Sequence, residues 1–348
     1  MIDVTAIQSE LQCKSCAGQC LYDPAVQALN CSSCGTVRRL EREDDSEAWA
    51  EFPFDPDAPL DEAPITFEGQ VLSCQTCGGT VTFVAQSLSS ACAYCDGPVV
   101  LKKADRGFAP MALIPYRVPQ QDAQAFALAW VRKRLAAPND LYGVVAKARV
   151  AGIYVPFWTF DSQEAVDYWA KYTVRRNKRN YTKRVRGNIR IRFDDLLVPA
   201  SPHVTPLIRD GILHDFDPQR LRPYRAGYVA GFAAEQHHQS VAEGLAANAD
   251  DKALLIRNKI KRDINKSRVH DIGYHTDTTG IHYRRILLPV WILHYTYDGA
   301  AHKVVVCGMQ GRTFGERPFS MKKLLGYSAL LSSIAVVTGL VWGAVGLL

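Results

Sequence analysis

The chain has 348 residues, is 47% hydrophobic and 22% charged, and carries a formal net charge of +6. That length holds two or three domains, including a middle segment long enough to bury its own core, whereas a module of about 30 residues needs a metal or disulfides to fold. The charge by itself selects no partner, but ten cysteines, eight of them in two quartets, point to a reducing compartment rather than a disulfide framework.

The first quartet is Cys13, Cys16, Cys31 and Cys34, and the second is Cys74, Cys77, Cys92 and Cys95. Both read C-x2-C-x14-C-x2-C, with each ligand of the second set 61 residues after its counterpart. Zinc takes four soft or borderline ligands in a tetrahedron. Two intervening residues let one tight turn aim both thiolates at one ion, and the longer spacer lets a short hairpin bring the second turn back. Gly18, Gly35, Gly78, Gly79 and Gly97 flank the pairs, where such turns call for positive φ. The reading is two structural Zn2+ ions in two zinc ribbons, over residues 1–40 and 71–105. Four thiolates leave no open position for catalysis, although iron can occupy the same ligand set. Cys20 is expected to be a spare core thiol.

Between the ribbons, residues 41–70 are rich in Asp, Glu and Pro without apolar periodicity, and predict an extended, solvated linker. Trp49, Phe52 and Phe54 lie among its acids, and docking of these rings on a neighbouring domain is the alternative. From Phe108 the character changes, and residues 106–320 predict a mostly antiparallel α+β body. MALIPYRV predicts a strand and residues 120–136 a helix opened by Pro119, with Phe126, Trp130 and Leu135 on its buried side. VPFWTF (155–160) and LPVWIL (288–293) share a pattern, with LIPYRV (113–118) a weaker echo. They predict equivalent strands of one sheet, from two related halves, with each proline near a strand start or on an edge. Trp158 and Trp291 are expected in the core. Residues 219–267 predict helix, with Val241, Leu245, Ala249, Ala253, Ile256, Ile260 and Ile264 as its apolar stripe. A hairpin follows Tyr295 and closes on the tight turn at 308–311.

Residues 324–348 contain no charge, and a bilayer core about 30 Å thick needs about 20 such residues. This predicts one transmembrane helix serving as a tail anchor. Arg317, Lys322 and Lys323 precede it, and no basic start followed by an apolar run opens the chain, so the N-terminal bulk is expected in the cytoplasm. Ser328, Ser332, Ala335, Gly339, Gly343 and Gly346 form a small-residue face, and Gly339-x3-Gly343 suits self-association of the helix.

Residues 171–193 hold ten Lys or Arg and no acid, and their loose alternation predicts a basic hairpin. Three readings fit it: contact with anionic lipid, contact with nucleic acid, or a solvated face screened by the acidic linker. Lipid or an acidic partner is favoured over nucleic acid because the tail holds the chain at a bilayer. No P-loop, G-x-S-x-G or H-E-x-x-H sequence occurs. His237 and His238 are adjacent on an expected helix, where their side chains diverge, and His270, His275 and His282 fall in an expected loop. The expectation is a protein that is not an enzyme.

The quartets, VPFWTF, LLPVWILHYTYDG (287–299) and GERPFS (315–320) together resemble bacterial membrane-anchored double zinc-ribbon proteins. That family carries labels such as transcription factor IIB-type zinc-ribbon protein or primosomal-helicase-like protein. The likeness spans nearly the whole chain and is sharpest over Leu287–Ser320. The family turn there reads asparagine-glycine-glutamine-threonine-glycine; here it is Cys307-Gly-Met-Gln-Gly311, which keeps the paired glycines only. The resemblance implies an adaptor in the bacterial inner membrane, with partners of phage-shock or SPFH-domain type in envelope stress.

Overall fold

The computed structural model describes residues 10–40, 50–55, 64–83, 91–176 and 178–345. Trp49, most of the acidic linker and residues 346–348 lie outside them. The described residues form fifteen strands: β1 (Cys20–Asp23), β2 (Ala28–Cys31), β3 (Val37–Arg38), β4 (Phe52–Pro53), β5 (Ile65–Cys74), β6 (Thr80–Phe83), β7 (Val99–Gly107), β8 (Ala112–Leu113), β9 (Arg149–Arg176), β10 (Arg179–Pro199), β11 (Arg222–Pro223), β12 (Ala233–Ala234), β13 (Val269–Tyr297), β14 (Ala300–Cys307) and β15 (Thr313–Gly315). The helices are α1 (Gln120–Arg132), α2 (Leu141–Val145), α3 (Pro206–Leu213), α4 (Ala226–Val229), α5 (Val241–Ala247), α6 (Ala249–Ile264) and α7 (Met321–Val345). The fold is α+β. β1–β3 form one small sheet and the remaining twelve strands form one large sheet, antiparallel except where β12 meets β9 and β8 meets β13.

Two long strands organise the body. β9 and β13 pair from Arg149 and His294 at one end to Tyr172 and Val269 at the other. Their inner halves, 153–160 and 283–295, are buried without interruption, as expected where a strand is covered on both faces. The outer half of β9 alternates between buried and exposed over 162–170, while that of β13 is half-buried or exposed throughout 269–282, so only one face is covered there. That face packs on α6, where Val166, Tyr168, Ala170 and Ile191 meet Ile256, Ile260 and Ile264.

VPFWTF and LPVWIL do occupy equivalent places. Val155 pairs directly with Leu288, and these are the same position of the two motifs, which places a local pseudo-two-fold axis between them. The relation extends outward. β12 runs parallel to β9 at Ile153 and Tyr154, and β8 runs parallel to β13 at Ile286 and Leu287. Each short strand leads after the same number of residues to a helix N-cap, Pro119 or Ser240. In one half the Tyr116 hydroxyl donates to Val290 O (2.6 Å) and its ring sits 4.9 Å from that of Trp291. In the other, His237 Nε2 bonds Phe157 O (3.0 Å) and its ring sits 5.4 Å from that of Trp158. The segment 113–118 is therefore not a third copy of the long strands. It is the lead-in to the first half, as 234–239 is to the second.

Several expectations change. Pro156 and Pro289 sit mid-ladder, not at strand starts. Each falls where its strand exchanges outer neighbours: β12 for β10 after Tyr154, and β8 for β14 after Leu287. A residue without N–H leaves no orphan donor at such a gap. Helix α1 ends at Arg132 and buries Ala123, Ala127 and Val131; Trp130 is half-buried against the core as expected, while Phe126 is 42% exposed and Leu135, beyond the helix, 75%. Small residues let the helix approach the sheet, which shifts the buried stripe by one residue from the expected one. The segment 219–267 is not one helix but α4, α5 and α6 with an extended stretch through His237 between them. Part of the expected linker is docked: Phe52 and Pro53 pair with Tyr283 and His282, and Ile65 to Gln70 belong to β5.

Helix α7 projects from the body with its apolar side chains exposed, among them Leu325, Leu331, Leu340 and Trp342. It is long and apolar enough to cross a membrane. Its root is fixed by Ser320 N to Ala136 O (2.8 Å) and Lys323 Nζ to Ala137 O (2.7 Å).

Candidate metal centres

Each quartet is built from two identical knuckles. The first cysteine of a pair donates its N–H to the carbonyl five residues on, and its own carbonyl accepts from the amide four residues on. Cys13 with Gly18 and Ala17, Cys31 with Thr36 and Gly35, Cys74 with Gly79 and Gly78, and Cys92 with Gly97 and Asp96 all follow this rule. The residue four after the first cysteine has positive φ in every case: Ala17 (58°), Gly35 (71°), Gly78 (76°) and Asp96 (66°). Only Gly35 and Gly78 of the flanking glycines thus serve for conformation. Gly18 and Gly97 serve for space, since a Cβ there would lie 2.7 Å from Ser33 Oγ and 2.3 Å from Thr76 Oγ1.

The knuckles bring the four sulfurs of each set together. Cys13 and Cys34 are 3.7 Å apart and Cys16 and Cys31 3.5 Å, while Cys74 and Cys95 are 3.5 Å and Cys77 and Cys92 3.8 Å. A tetrahedral zinc with Zn–S of about 2.3 Å requires sulfurs about 3.8 Å apart, so both sets fit the ion, and a disulfide is far shorter. All ten cysteines are free thiols, and Cys20, like Cys307, is buried as a core residue. Amide groups aim at the sulfurs, as in Ser15 N to Cys13 Sγ (3.4 Å), Thr76 N to Cys74 Sγ (3.3 Å) and Tyr94 N to Cys92 Sγ (3.3 Å). Amides of Ser15 and Cys16 bring the Cys13 thiol down to about 6. Burial opposes the same effect at Cys74, but the amides of Cys77 and Thr76 prevail and bring it to about 7. Each set therefore offers a thiolate at neutral pH, the form a metal binds.

The two centres differ in setting. In the first, Cys16 and Cys34 are exposed; in the second, none of the four is fully exposed. The first ribbon packs on the body, with Leu11, Tyr22 and Leu29 in one apolar core with Leu113, Tyr116 and Val229, and bonds to it through Tyr22 N to Ala230 O (3.0 Å) and Gln27 Nε2 to Tyr116 O (2.7 Å). The second is part of the large sheet through β6 and β12. Arg149 Nη2 donates to Cys92 O (2.7 Å), and His294 Nε2 bonds Ala93 O (2.8 Å). Burial pulls His294 down to about 4, so the ring is neutral and donates. The Tyr94 hydroxyl donates to Glu235, whose other oxygen accepts from Ser201 Oγ (2.8 Å). Burial raises the Glu235 carboxyl to about 7.

The histidines form no metal set among the described residues. His237 and His238 lie on extended chain, which sends one ring to Phe157 O and the other to Asp105 Oδ2 (2.7 Å). His270, His275 and His282 are on the strand β13 rather than in a loop. A third group, Glu51, Asp161 and Asp195, surrounds the buried Arg284, which pairs with Asp195 and lies 3.5 Å from Glu51. Burial and the charge of Glu51 push Asp161 up to about 6. An internal cation thus already answers these acids.

No protein-family profile matches the chain, and no solved structure matches it. A Bacillus subtilis protein described as "Uncharacterized protein YdjG" is similar to it, with 26% identity over 337 residues covering 93% of both chains.

Proposed function

We propose that this chain is a non-enzymatic adaptor, held in the bacterial inner membrane by α7, that recruits cytoplasmic protein partners through its zinc ribbons. The carrying observation is the pairing of two four-thiol centres with an exposed apolar helix on one body. Four thiolates per centre fill a zinc ion's coordination, which suits a structural rather than a catalytic ion. Free thiols favour the cytoplasm, and Lys322 and Lys323 at the root of α7 favour a cytoplasmic body. The resemblance to membrane-anchored double zinc-ribbon proteins supports phage-shock or SPFH-domain partners and a role in envelope stress. The Gly339 and Gly343 face of α7 is the proposed route to self-association.

The test is affinity purification of the full chain from native membranes. One cytoplasmic protein should be recovered in stoichiometric amount, and the double substitution Cys16→Ser, Cys34→Ser should abolish its recovery while the chain stays in the membrane. Recovery of no such protein, or recovery indifferent to loss of metal from both ribbons, would sink the proposal.

A further inference from the structure

The outer half of the β9–β13 ladder has one face covered by α6 and one face open. Side chains alternate along a strand, so the register fixes who shares the open face. One row is Arg186, Trp169 and Gly273; the next is Asn188, Asp167 and His275. Arg184 lies opposite Lys171 and Arg190 opposite Ala165. Trp169 is 52% exposed, unusual for so large an apolar ring at the centre of a sheet. Its indole lies against Gly273, where an added Cβ would come within 2.4 Å of the ring. The missing side chain is what allows the ring to rest flat on the strand. Beside it is an open recess of about 670 Å³ lined by Asp167, Trp169, Arg186 and Asn188.

The charge on this face is arranged, not uniform. The cations at 184, 186 and 190 run along the outer strand β10, and among the described residues none of the three has an acidic partner. Arg184 and Arg186 are two residues, about 7 Å, apart and Arg190 is four residues, about 13 Å, further on past Asn188, comparable with one and two phosphate steps of an extended polynucleotide. Inside that row, on β9, come a flat aromatic ring and an acid, and the amide of Asn188 stands in the row itself between Arg186 and Arg190. A lipid surface or an acidic peptide would gain from the arginines but be repelled by Asp167. A nucleobase uses all of them: its face stacks on the indole, and its exocyclic amino group can donate to the carboxylate. Distance also separates this face from the root of α7. The ladder's other end, at Arg149 and His294, lies near the root of α7, through Tyr297 and Asp140 (2.9 Å). Trp169 is about 65 Å further along the strand at about 3.3 Å per residue.

We infer that the open face of the β10–β9–β13 sheet binds single-stranded nucleic acid, with phosphates along Arg184, Arg186 and Arg190 and a base stacked on Trp169. The site is remote from both ribbons and independent of protein recruitment by them. It is tested by fluorescence anisotropy of a short labelled oligouridylate with the full chain in nanodiscs of neutral lipid, metal content and circular dichroism serving as fold controls. Binding should fall steeply with salt. Trp169→Ala should weaken it on the order of tenfold or more, and Trp169→Phe should retain much of it. Gly273→Ala, which displaces the ring, should act like Trp169→Ala. Replacing the three arginines with Gln should weaken binding and flatten the log–log salt slope by about 2. Absence of binding at low salt, or undiminished binding by both Trp169→Ala and the arginine variant, overturns the inference. So does displacement of the oligonucleotide, at equal charge, by polyglutamate or by phosphatidylserine vesicles.

Discussion

Two tryptophans in equivalent places show how much a single hydrogen bond changes. Trp291 Nε1 donates to Val118 O (2.9 Å), whereas the buried Trp158 Nε1 meets no acceptor among the described residues. Replacement by Phe should therefore cost more at 291 than at 158, by about 1 kcal/mol in a denaturation series. Both indoles were legible as core anchors from their apolar strands. The difference between them was not, because it depends on a carbonyl more than 170 positions away. Glu235 gives a second prediction at this scale. Its folded-state value of about 7 lies above the ordinary 4.5, so its contribution is fully present below about pH 4.5 and is lost as pH rises through 7. His238, raised by the Asp105 carboxylate facing it, works in the same direction. The full chain should show a lower melting temperature at pH 8 than at pH 6, and Glu235→Gln should reduce that difference. An unchanged pH dependence in the variant would assign it elsewhere.

At the level of elements, the knuckles are legible in the spacing because their bonds are local, closing within five residues of each first cysteine. What spacing does not encode is that Ala17 and Asp96 take the left-handed positions, or that β6 ties the second ribbon to β12. Those facts are tertiary, and they set the order of metal loss. With Cys16 and Cys34 exposed and the second set enclosed, a chelator with a colorimetric indicator should release one metal equivalent quickly and the second more slowly. Cys16→Ser should remove the fast phase, and a single phase in the intact chain would contradict this. The helices show the same division. The stripe Ile256, Ile260 and Ile264 was legible because α6 covers a sheet with one face. The breaks around it were not, because the extended stretch between α4 and α5 is held by β12 and by the bridge from Phe108 to His237. The basic hairpin was likewise plain from its alternation, but its open face needed the register that sets Trp169 over Gly273.

For the molecule as a whole, α7 and the pseudo-two-fold body are separable. Every apolar residue of the helix that is described is exposed, and only its root touches the body, so ending the chain before Met321 should leave the fold intact and release it from membranes. Carbonate-washed membranes retaining the shortened chain would argue for a second attachment. The duplication was half visible in VPFWTF and LPVWIL, whose shared proline and tryptophan mark the axis; the matching lead-ins, with Tyr116 in one and His237 in the other, share too few residues to be seen in sequence. The length of strand β9, from Arg149 to Arg176, has a mechanical corollary. A long, hydrogen-bonded ribbon clamped near its base acts as a lever. A 5° tilt at the root would sweep Trp169 through about 6 Å, given a reach of about 65 Å. Small changes in how the anchor leans would be magnified at the far end, where the arginines and the tryptophan stand.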